Sequence, residues 1–399
     1  MGRDCGTLAI LGGEPLLTSP IDDAWIEIDD SIVRAVTAYL THHRSTRYDE
    51  TLTMDLEAKL ASVFGVADCL VGQGATECLR FLIRALIQGQ MIEAAVIPAH
   101  IFPGLAAVLA GSGLRLAPAA VDPETLLARP SALFGGLRAA GATPTLALLH
   151  CPWGQPWTDG VDRKPVGSSV VIPGGTPLII DLSHAVGSLV NGSQVSLCGA
   201  DAGILSMGAG KFLSGHELGA ILLRNHRLRD DVLEMGGVRR LPGAYSCGEN
   251  RDVEPTFGKL RGHPLAMVVA RAQLDRLPAK LSAHYASSQL LREELSALDG
   301  YHLVGGLDPE PRQHFRHILR LDPEAWRGLS LETVVQALRA EGVPVSRIEY
   351  LSPVGHTAPP IADTYLSLPG YVCLRDSAVG GIVRGLEKVW SRRRCLTMK

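Results

Sequence analysis

Seven short apolar runs alternate with segments of helical periodicity between residues 69 and 223 of this chain. The runs cover residues 69–72, 94–98, 114–119, 145–150, 177–181, 202–206 and 218–223. Strands that are buried on both faces carry apolar runs of this kind, because helices cover each face of the sheet. The alternation therefore predicts an α/β fold with a mainly parallel, seven-stranded sheet. Such sheets bind ligands at the carboxyl ends of their strands, so the residues that follow each run are candidates for a site.

Helical spacing predicts the elements that separate these strands. Helices are expected over residues 23–40, 54–65, 76–86, 102–110 and 124–140. The polar residues 41–53 show no periodicity and predict a loop. This loop is either a solvated connection or a basic, histidine-bearing flap over a site, and the sequence favours neither.

The pattern changes near residue 245, and 399 residues are long for a single core. The polar, glycine-rich segment 245–258 is typical of a crossing between domains. Four later elements are predicted: a helix over 264–290, a strand over 315–321, and helices over 329–342 and 377–390. Pro278 should kink or break the first of these helices. We therefore expect a large domain at 1–245, with an N-terminal arm, and a smaller C-terminal α+β domain at 246–399.

Composition and charge exclude several classes of protein. A net charge of -3 and a pI near 6.5 provide no basic field for nucleic acid or an anionic membrane. The eight cysteines are scattered without a CxxC pair, which predicts reduced thiols, no metal site and a cytoplasmic location. No apolar run approaches the length of a transmembrane helix.

Lys211 is the strongest candidate for a reactive side chain. It follows the sixth apolar run, which breaks into glycines at Gly208 and Gly210. An amine held in a partly buried, glycine-lined cleft loses its proton more easily and attacks a carbonyl to form a Schiff base. The alternative is an ordinary solvated lysine, since charged residues mostly lie outside.

Two segments are candidates for binding a phosphate. Gly74, Ala75 and Thr76 directly precede a predicted helix, where small residues expose backbone N–H groups to an anion. Taken alone, this segment is better explained as a simple helix cap. Ser206, five residues before Lys211, is a possible additional donor.

Three side chains near strand ends suit a flat, nitrogen-containing ring. Asp181 ends the most apolar strand, where a carboxylate needs a cation, and His184 lies three residues later. Phe102 follows the strand that ends at Pro98 and could stack on a ring. Taken singly, Asp181 is better explained as a helix cap or part of a buried ion pair, and Phe102 as a core residue.

The order and spacing of these candidate residues resemble those of the DegT/StrS family of sugar and cyclitol aminotransferases. These are pyridoxal 5'-phosphate (PLP) enzymes with the aspartate-aminotransferase fold, also called fold type I. The segments that carry the resemblance are GATECLRFLIRAL (74–86), PAHIF (98–102), DLSH (181–184), SMGAGKFLSGHELG (206–219) and GKLRGHPLAMVVARAQL (258–274). The resemblance runs over nearly the whole chain.

The resemblance implies a role for each candidate. Lys211 would form the Schiff base with PLP, Asp181 would keep the pyridine nitrogen protonated, and Phe102 would stack on the ring. His184 would lie near the ring hydroxyl. The remaining residues would hold the phosphate: Gly74, Ala75, Thr76, Ser206 and, from the second subunit of a homodimer with shared sites, Lys259.

This sequence departs from the family pattern at several of these positions. Gly74 and Ala75 replace a serine and a glycine, and backbone donation survives both changes. Lys259 replaces an asparagine and adds a charge at the phosphate. His216 and Leu218 replace glycines of a turn, which affects access by the substrate.

The function that the resemblance implies is transfer of an amino group from glutamine or glutamate to a keto cyclitol or keto sugar in secondary-metabolite (aminoglycoside-like) biosynthesis. Residues 319–338 look like those of the cyclitol enzymes. Three alternatives stay open: a nucleotide-linked keto-sugar acceptor, a PLP-dependent dehydration or aromatisation, and a non-catalytic partner that keeps the fold. Dehydratase relatives replace the lysine by histidine, so the presence of Lys211 favours transamination.

Overall fold

The fold is described from a computed structural model of the 399-residue chain. The described residues are 6–21, 27–43, 48–89, 91–128, 130–141, 144–157, 175–236, 258–348, 352–353 and 363–397. The helices are α1 (Asp30–His42), α2 (Glu50–Phe64), α3 (Ala75–Gly89), α4 (Pro103–Gly111), α5 (Pro130–Ala140), α6 (His226–Gly236), α7 (Pro264–Ser296), α8 (Leu331–Ala340) and α9 (Asp376–Arg392). The strands are β1 (Asp68–Gly72), β2 (Ala94–Pro98), β3 (His100–Ile101), β4 (Arg115–Ala119), β5 (Thr145–His150), β6 (Leu178–Asp181), β7 (Leu189–Val190), β8 (Ser193–Gln194), β9 (Ala202–Ser206), β10 (Gly219–Leu223), β11 (Tyr301–Leu303), β12 (Arg316–Leu321), β13 (Ser346–Arg347), β14 (Ser352–Pro353) and β15 (Tyr365–Pro369).

A seven-stranded sheet in the order β1-β10-β9-β6-β5-β2-β4 confirms the predicted α/β class. Only β10 runs against the others; the pairs from β9 to β4 are parallel. Because β10 returns beside β9, with Gly219 opposite Ser206, the loop between them stays at the carboxyl edge of the sheet. This loop contains Lys211.

Both faces of the sheet are covered, as its apolar strands predict. Leu149 and Ile180 belong to one buried apolar cluster, whereas the preceding residues Leu148 and Ile179 belong to another. Successive side chains of a strand point to opposite faces. Each fully buried side chain of this size contributes roughly 1.5–3 kcal/mol, so neither face tolerates a polar residue without cost.

A second sheet, in the order β11-β12-β15-β13, is antiparallel and packs with α8 and α9. Its apolar cluster also contains Leu8, so the N-terminal segment lies against the C-terminal part of the chain. The predicted boundary between residues 245 and 246, and most of the predicted crossing 245–258, lie outside the described residues. The division into two domains stays a prediction.

The structure corrects the ends of the first two helices. Helix α1 begins at Asp30 rather than at residue 23, because the Asp29 carboxylate caps it by accepting from the N–H groups of Ser31 and Ile32. Helix α2 begins at Glu50, where Asp49 accepts from Leu52 N–H. The connection is therefore shorter than the predicted loop 41–53, and residues 44–47 of it lie outside the described ranges.

Two further helices differ from their predicted extents. Helix α5 begins at Pro130 instead of residue 124, since proline suits the first helical position. Helix α7 continues unbroken through Pro278 as far as Ser296. The proline costs ~3 kcal/mol in a helix interior, and burial of neighbouring side chains such as Leu274 and Leu277 offsets that cost. None of the helices in the described ranges is long and apolar enough to cross a membrane.

A buried ion pair attaches the N-terminal segment to the C-terminal sheet. Nζ of Lys388 lies 2.8 Å from the carboxylate of Glu341, and Glu341 also accepts from the N–H groups of Ala9 and Leu16. We expect Lys388→Ala to lower the free energy of unfolding by about 3–5 kcal/mol, because it leaves a buried carboxylate without its cation.

Chemical denaturation measures this loss. The control is Lys59→Ala, which breaks the exposed pair with Asp275 and should cost about 0–1 kcal/mol. Equal losses in the two variants would contradict the structural role of the buried pair.

Candidate active site

A cavity of about 240 Å³ lies at the carboxyl edge of the large sheet. Eight of the nine predicted site residues line it: Gly74, Ala75, Thr76, Phe102, Asp181, His184, Ser206 and Lys211. They come from the ends of β6 and β9, the loop before β10, the start of α3 and the residue before α4. The strand-end rule therefore located this cavity from the sequence.

The amine of Lys211 is held inside the cavity. Its Nζ lies 2.8 Å from Nε2 of His184 and 4.7 Å from the centre of the Phe315 ring. Burial lowers the pKa of Lys211, and the charge of Asp181 opposes that shift. The site therefore favours a neutral, nucleophilic amine more than water does.

Asp181 places a carboxylate at the end of β6. Its Oδ1 accepts from the N–H of Ser183 at 2.9 Å. Burial raises the pKa of Asp181, while the hydrogen bonds from Ser183 and the charge of Lys211 lower it. A carboxylate in this position needs a cationic partner to remain charged.

His184 lies between the lysine and two aromatic rings. Its ring stacks on Phe315, with centroids 3.9 Å apart, and more loosely on Trp153 at 5.6 Å. Burial, and then the charge of Lys211, hold the pKa of His184 well below its usual value, so the ring is neutral. Nδ1 accepts from the N–H of Trp153 at 3.4 Å, which places the ring proton on Nε2, facing the lysine.

The start of α3 forms an anion-binding corner. The first N–H groups of a helix have no partners within it, so those around Ala75 and Thr76 are available to a ligand. Gly219 of β10 lies so close that a Cβ there would be 2.3 Å from the Ala75 nitrogen. On the other side, Ser206 Oγ accepts from Gly208 N–H at 3.3 Å.

Four residues of the site were not predicted from the sequence. Ser183 joins the ends of β6 and β9, because its Oγ accepts from the N–H of Ser206 at 2.9 Å. His150 ends β5 and lines the same cavity, and Trp153 follows in the next turn. The strand-end rule could have found these three. Phe315 reaches His184 from the start of the second sheet, and no local pattern indicates that contact.

Lys259 is the ninth predicted residue, and it does not line the cavity. Its side chain is exposed. In the sequence, Lys259 comes shortly after residues 237–257, which are outside the described ranges. Its predicted contact with a phosphate requires a second copy of the chain.

Sequence comparison identifies the family. The profile of the DegT/DnrJ/EryC1/StrS aminotransferase family matches residues 173–374, just over half of the chain. The chain belongs to this family. PLP is the cofactor of the family's aminotransferases.

A curated relative and two solved structures show how far the similarity extends. A protein of Streptomyces kanamyceticus that is described as an L-glutamine:3-amino-2,3-dideoxy-scyllo-inosose aminotransferase is 27% identical over 183 residues, 45% of this chain and 42% of that protein. The match thus spans less than half the length of that relative.

DesI, solved in the presence of its TDP-sugar product, has a TM-score of 0.77 at 23% identity, and the match covers 98% of each chain. E coli GDP-4-keto-6-deoxy-D-mannose-3-dehydratase with bound hydrated PLP has a TM-score of 0.75 at 17% identity, covering 94% of this chain and 99% of that chain. These two structures establish the fold.

The residues of the cavity fit the cofactor of the DegT/DnrJ/EryC1/StrS family. The helix start at Ala75 suits the phosphate, Asp181 suits a protonated pyridine nitrogen, and Lys211 suits the aldehyde. Within the described ranges, Nε2 of the buried His150 has no hydrogen-bond partner, although His150 lines this cavity. A buried polar atom without a partner is costly, which favours a ligand that satisfies it.

The lowered pKa of Lys211 predicts how the protein captures PLP. Only a neutral amine attacks the aldehyde, so the capture rate of the cofactor-free protein should rise with pH and level off below pH 10.5, the usual pKa of a lysine. Because the charge of Asp181 raises the pKa of Lys211, Asp181→Asn should move the midpoint to lower pH.

Stopped-flow absorbance measures the capture rate across pH. The control is Asp230→Asn, which removes an exposed carboxylate that pairs with Arg229. An unchanged midpoint in Asp181→Asn, or a shift to higher pH, would contradict this electrostatic arrangement.

Proposed function

We propose that this protein is a PLP-dependent aminotransferase. It moves an amino group from L-glutamine or L-glutamate to a keto cyclitol or keto sugar in secondary-metabolite (aminoglycoside-like) biosynthesis. The observation that carries the proposal is the Lys211 amine, with its lowered pKa, in contact with His184 and in the same cavity as Asp181. Membership of an aminotransferase family supports it.

The side chains divide the work of holding the cofactor. Bound PLP supplies an electron sink for the carbon that loses or gains a proton. Asp181 provides the negative charge that keeps a pyridine nitrogen protonated, and Phe102, a residue that is 43% exposed, offers a ring for stacking. Gly74, Ala75, Thr76 and Ser206 supply the backbone and hydroxyl donors for the phosphate.

Lys211 carries the proton in both halves of the reaction. Its lowered pKa lets the amine take a proton from the carbon of the donor and later return one to the acceptor. His184 holds the amine through its 2.8 Å contact, and stacking on Phe315 keeps the imidazole plane in place. His184 is therefore a positioning residue for Lys211.

We favour a keto cyclitol as the acceptor. Three curated relatives of this chain are described as aminotransferases of a 3-amino-2,3-dideoxy-scyllo-inosose, and residues 319–338 look like those of cyclitol enzymes. Fold alone does not determine the substrate, so the likeness to DesI carries no weight here. We place the enzyme in the cytoplasm, where its free thiols, such as those of Cys69 and Cys78, remain reduced.

An absorbance spectrum of the purified protein with PLP tests the function first. We expect a yellow band that bleaches when L-glutamine or L-glutamate is added, because Lys211 then releases the cofactor to the donor. Adding a keto cyclitol should restore the band and yield the amino cyclitol by mass spectrometry.

The other outcomes separate the alternatives. A band that no amino acid bleaches would favour a non-catalytic partner, and loss of water from the acceptor would favour a dehydration. No band after addition of PLP would refute the proposal.

We also propose a homodimer with shared active sites, completed by Lys259 of the second copy. Val33, Leu40 and Met54 expose 52%, 53% and 67% of their surface on α1 and α2, which supports a covered face in an assembly. In a symmetric dimer, Lys259 of each copy would complete the site of the other copy.

A mixing experiment tests the shared site. Lys211→Ala and Lys259→Ala chains should each be nearly inactive, and the mixture should regain activity, because a mixed dimer has one site with both lysines. No recovery after verified subunit exchange would refute the sharing. Refolded mixtures of each variant with itself are the control.

A further inference from the structure

A second cavity, of about 300 Å³, lies beside α7 and is named the α7 cavity here. One wall is a face of α7 between Tyr285 and Glu293, and the other is formed by residues 307–312 and His314. Among the described residues, none lines both this cavity and the cavity of Lys211. The proposed reaction therefore gives the α7 cavity no role.

The segment that leads into β12 has one side in each place. Arg312 and His314 line the α7 cavity. Phe315 stacks on His184 with ring centroids 3.9 Å apart. Gln313, with its amide turned to satisfy both neighbours, donates to the carbonyl of His184 at 2.6 Å. A ligand in the α7 cavity thus lies against the reverse side of the segment that contacts His184.

The α7 cavity holds an excess of buried positive charge. The side chains of Arg292 and Arg312 are 3% and 7% exposed, and both contact the carboxylate of Asp308, at 3.0 and 2.7 Å. Among the described residues, no other carboxylate forms an ion pair with either arginine. Burial lowers the pKa of Arg292 to about 10, although the charge of Asp308 opposes that shift. Two buried guanidiniums therefore share one carboxylate, and a second anion would stabilise them.

The remaining titratable groups of the lining do not cancel this excess. Burial, and then the charge of Arg292, hold the pKa of His314 well below its usual value, so its ring is neutral. Glu293 is exposed, and the half-buried Glu310 accepts from the N–H of Gly192 at 2.9 Å. Water screens carboxylates in such positions, so they act weakly on the buried guanidiniums.

Two buried polar atoms of the lining residues have no hydrogen-bond partner within the described ranges. They are Oγ of Ser288, a residue that is only 4% exposed, and Nε of Arg312. Nη1 of Arg312 is occupied by Asp308 and by the side-chain oxygen of Gln155 at 2.6 Å. Buried polar atoms without partners are rare, because each has lost its hydrogen bonds to water. A hydroxyl and a guanidinium N–H are both donors that suit an oxyanion.

We propose that the α7 cavity binds the oxyanion group, a carboxylate or a phosphate, of a small organic ligand. Oγ of Ser288 and Nε of Arg312 donate to the oxyanion, whose charge balances the second guanidinium. A volume of about 300 Å³ exceeds that of the oxyanion alone and is typical of sites for small molecules. This site is separate from the proposed reaction and does not depend on it.

Calorimetric titration of the PLP-loaded protein with inorganic phosphate and, separately, with acetate tests the site. Bound PLP occupies the anion-binding corner at the start of α3, so the probes cannot bind there. We expect at least one probe to bind. Its affinity should fall about 10-fold in Ser288→Ala, as for one lost hydrogen bond to a charged group. Arg312→Lys should also weaken binding, because it keeps the charge beside Asp308 but removes the Nε donor.

A matched control and a stability measurement separate binding from folding. Ser296→Ala removes a hydroxyl of the same helix that donates to the carbonyl of Glu293 and does not line the cavity, so it should leave the affinity unchanged. The free energy of unfolding of Ser288→Ala without the probe should not fall, because alanine favours a helix and the lost hydroxyl has no partner.

The two probes also distinguish the sources of the oxyanion. Tighter binding of phosphate would assign a phosphate group to the ligand, and tighter binding of acetate would assign a carboxylate. Three results would overturn the proposal: no binding of either probe, equal affinity in Ser288→Ala and the unaltered protein, or a loss of stability in probe-free Ser288→Ala. No amino donor enters this test, so its outcome is independent of whether the protein transfers an amino group.

Discussion

Burial of the Lys211 amine is the constraint on which the rest of the site depends. Removing an ammonium group from water is costly, and the structure meets that cost by lowering the pKa of the amine and by surrounding it with specific partners. Nε2 of His184 contacts the nitrogen, Asp181 supplies a nearby negative charge, and Phe315 places a ring against it. Each partner is itself held by another contact, so the amine has a defined position as well as a defined charge.

The partners of the amine come from both sheets. Asp181 ends β6 of the large sheet and His184 follows it, whereas Phe315 immediately precedes β12 of the second sheet. Lys280 of α7 strengthens the connection, because its buried Nζ donates to the carbonyl of Phe212 at 2.8 Å. Phe212 directly follows Lys211, so the long helix fixes the backbone that carries the amine. The site is assembled where these elements meet.

Local chemistry accounts for most differences between the predicted and observed elements. The strands of the large sheet were predicted closely, because an apolar run that is buried on both faces stands out from the polar residues and turns at its ends. Helix ends were less accurate, since a single capping side chain such as Asp29 or Asp49 moves a boundary by several residues. Pro278 did not break α7, because packing along the helix outweighs the local preference.

By itself, the sequence determined the class of fold, the strand ends that border the cavity and eight of the residues that line it. These features depend on local apolar runs and on residues close to them in the chain. The tertiary structure alone decided that Phe315 lies beside Lys211, more than a hundred residues away in sequence. Contacts of that range depend on how two sheets pack, and packing leaves no periodic pattern in either segment.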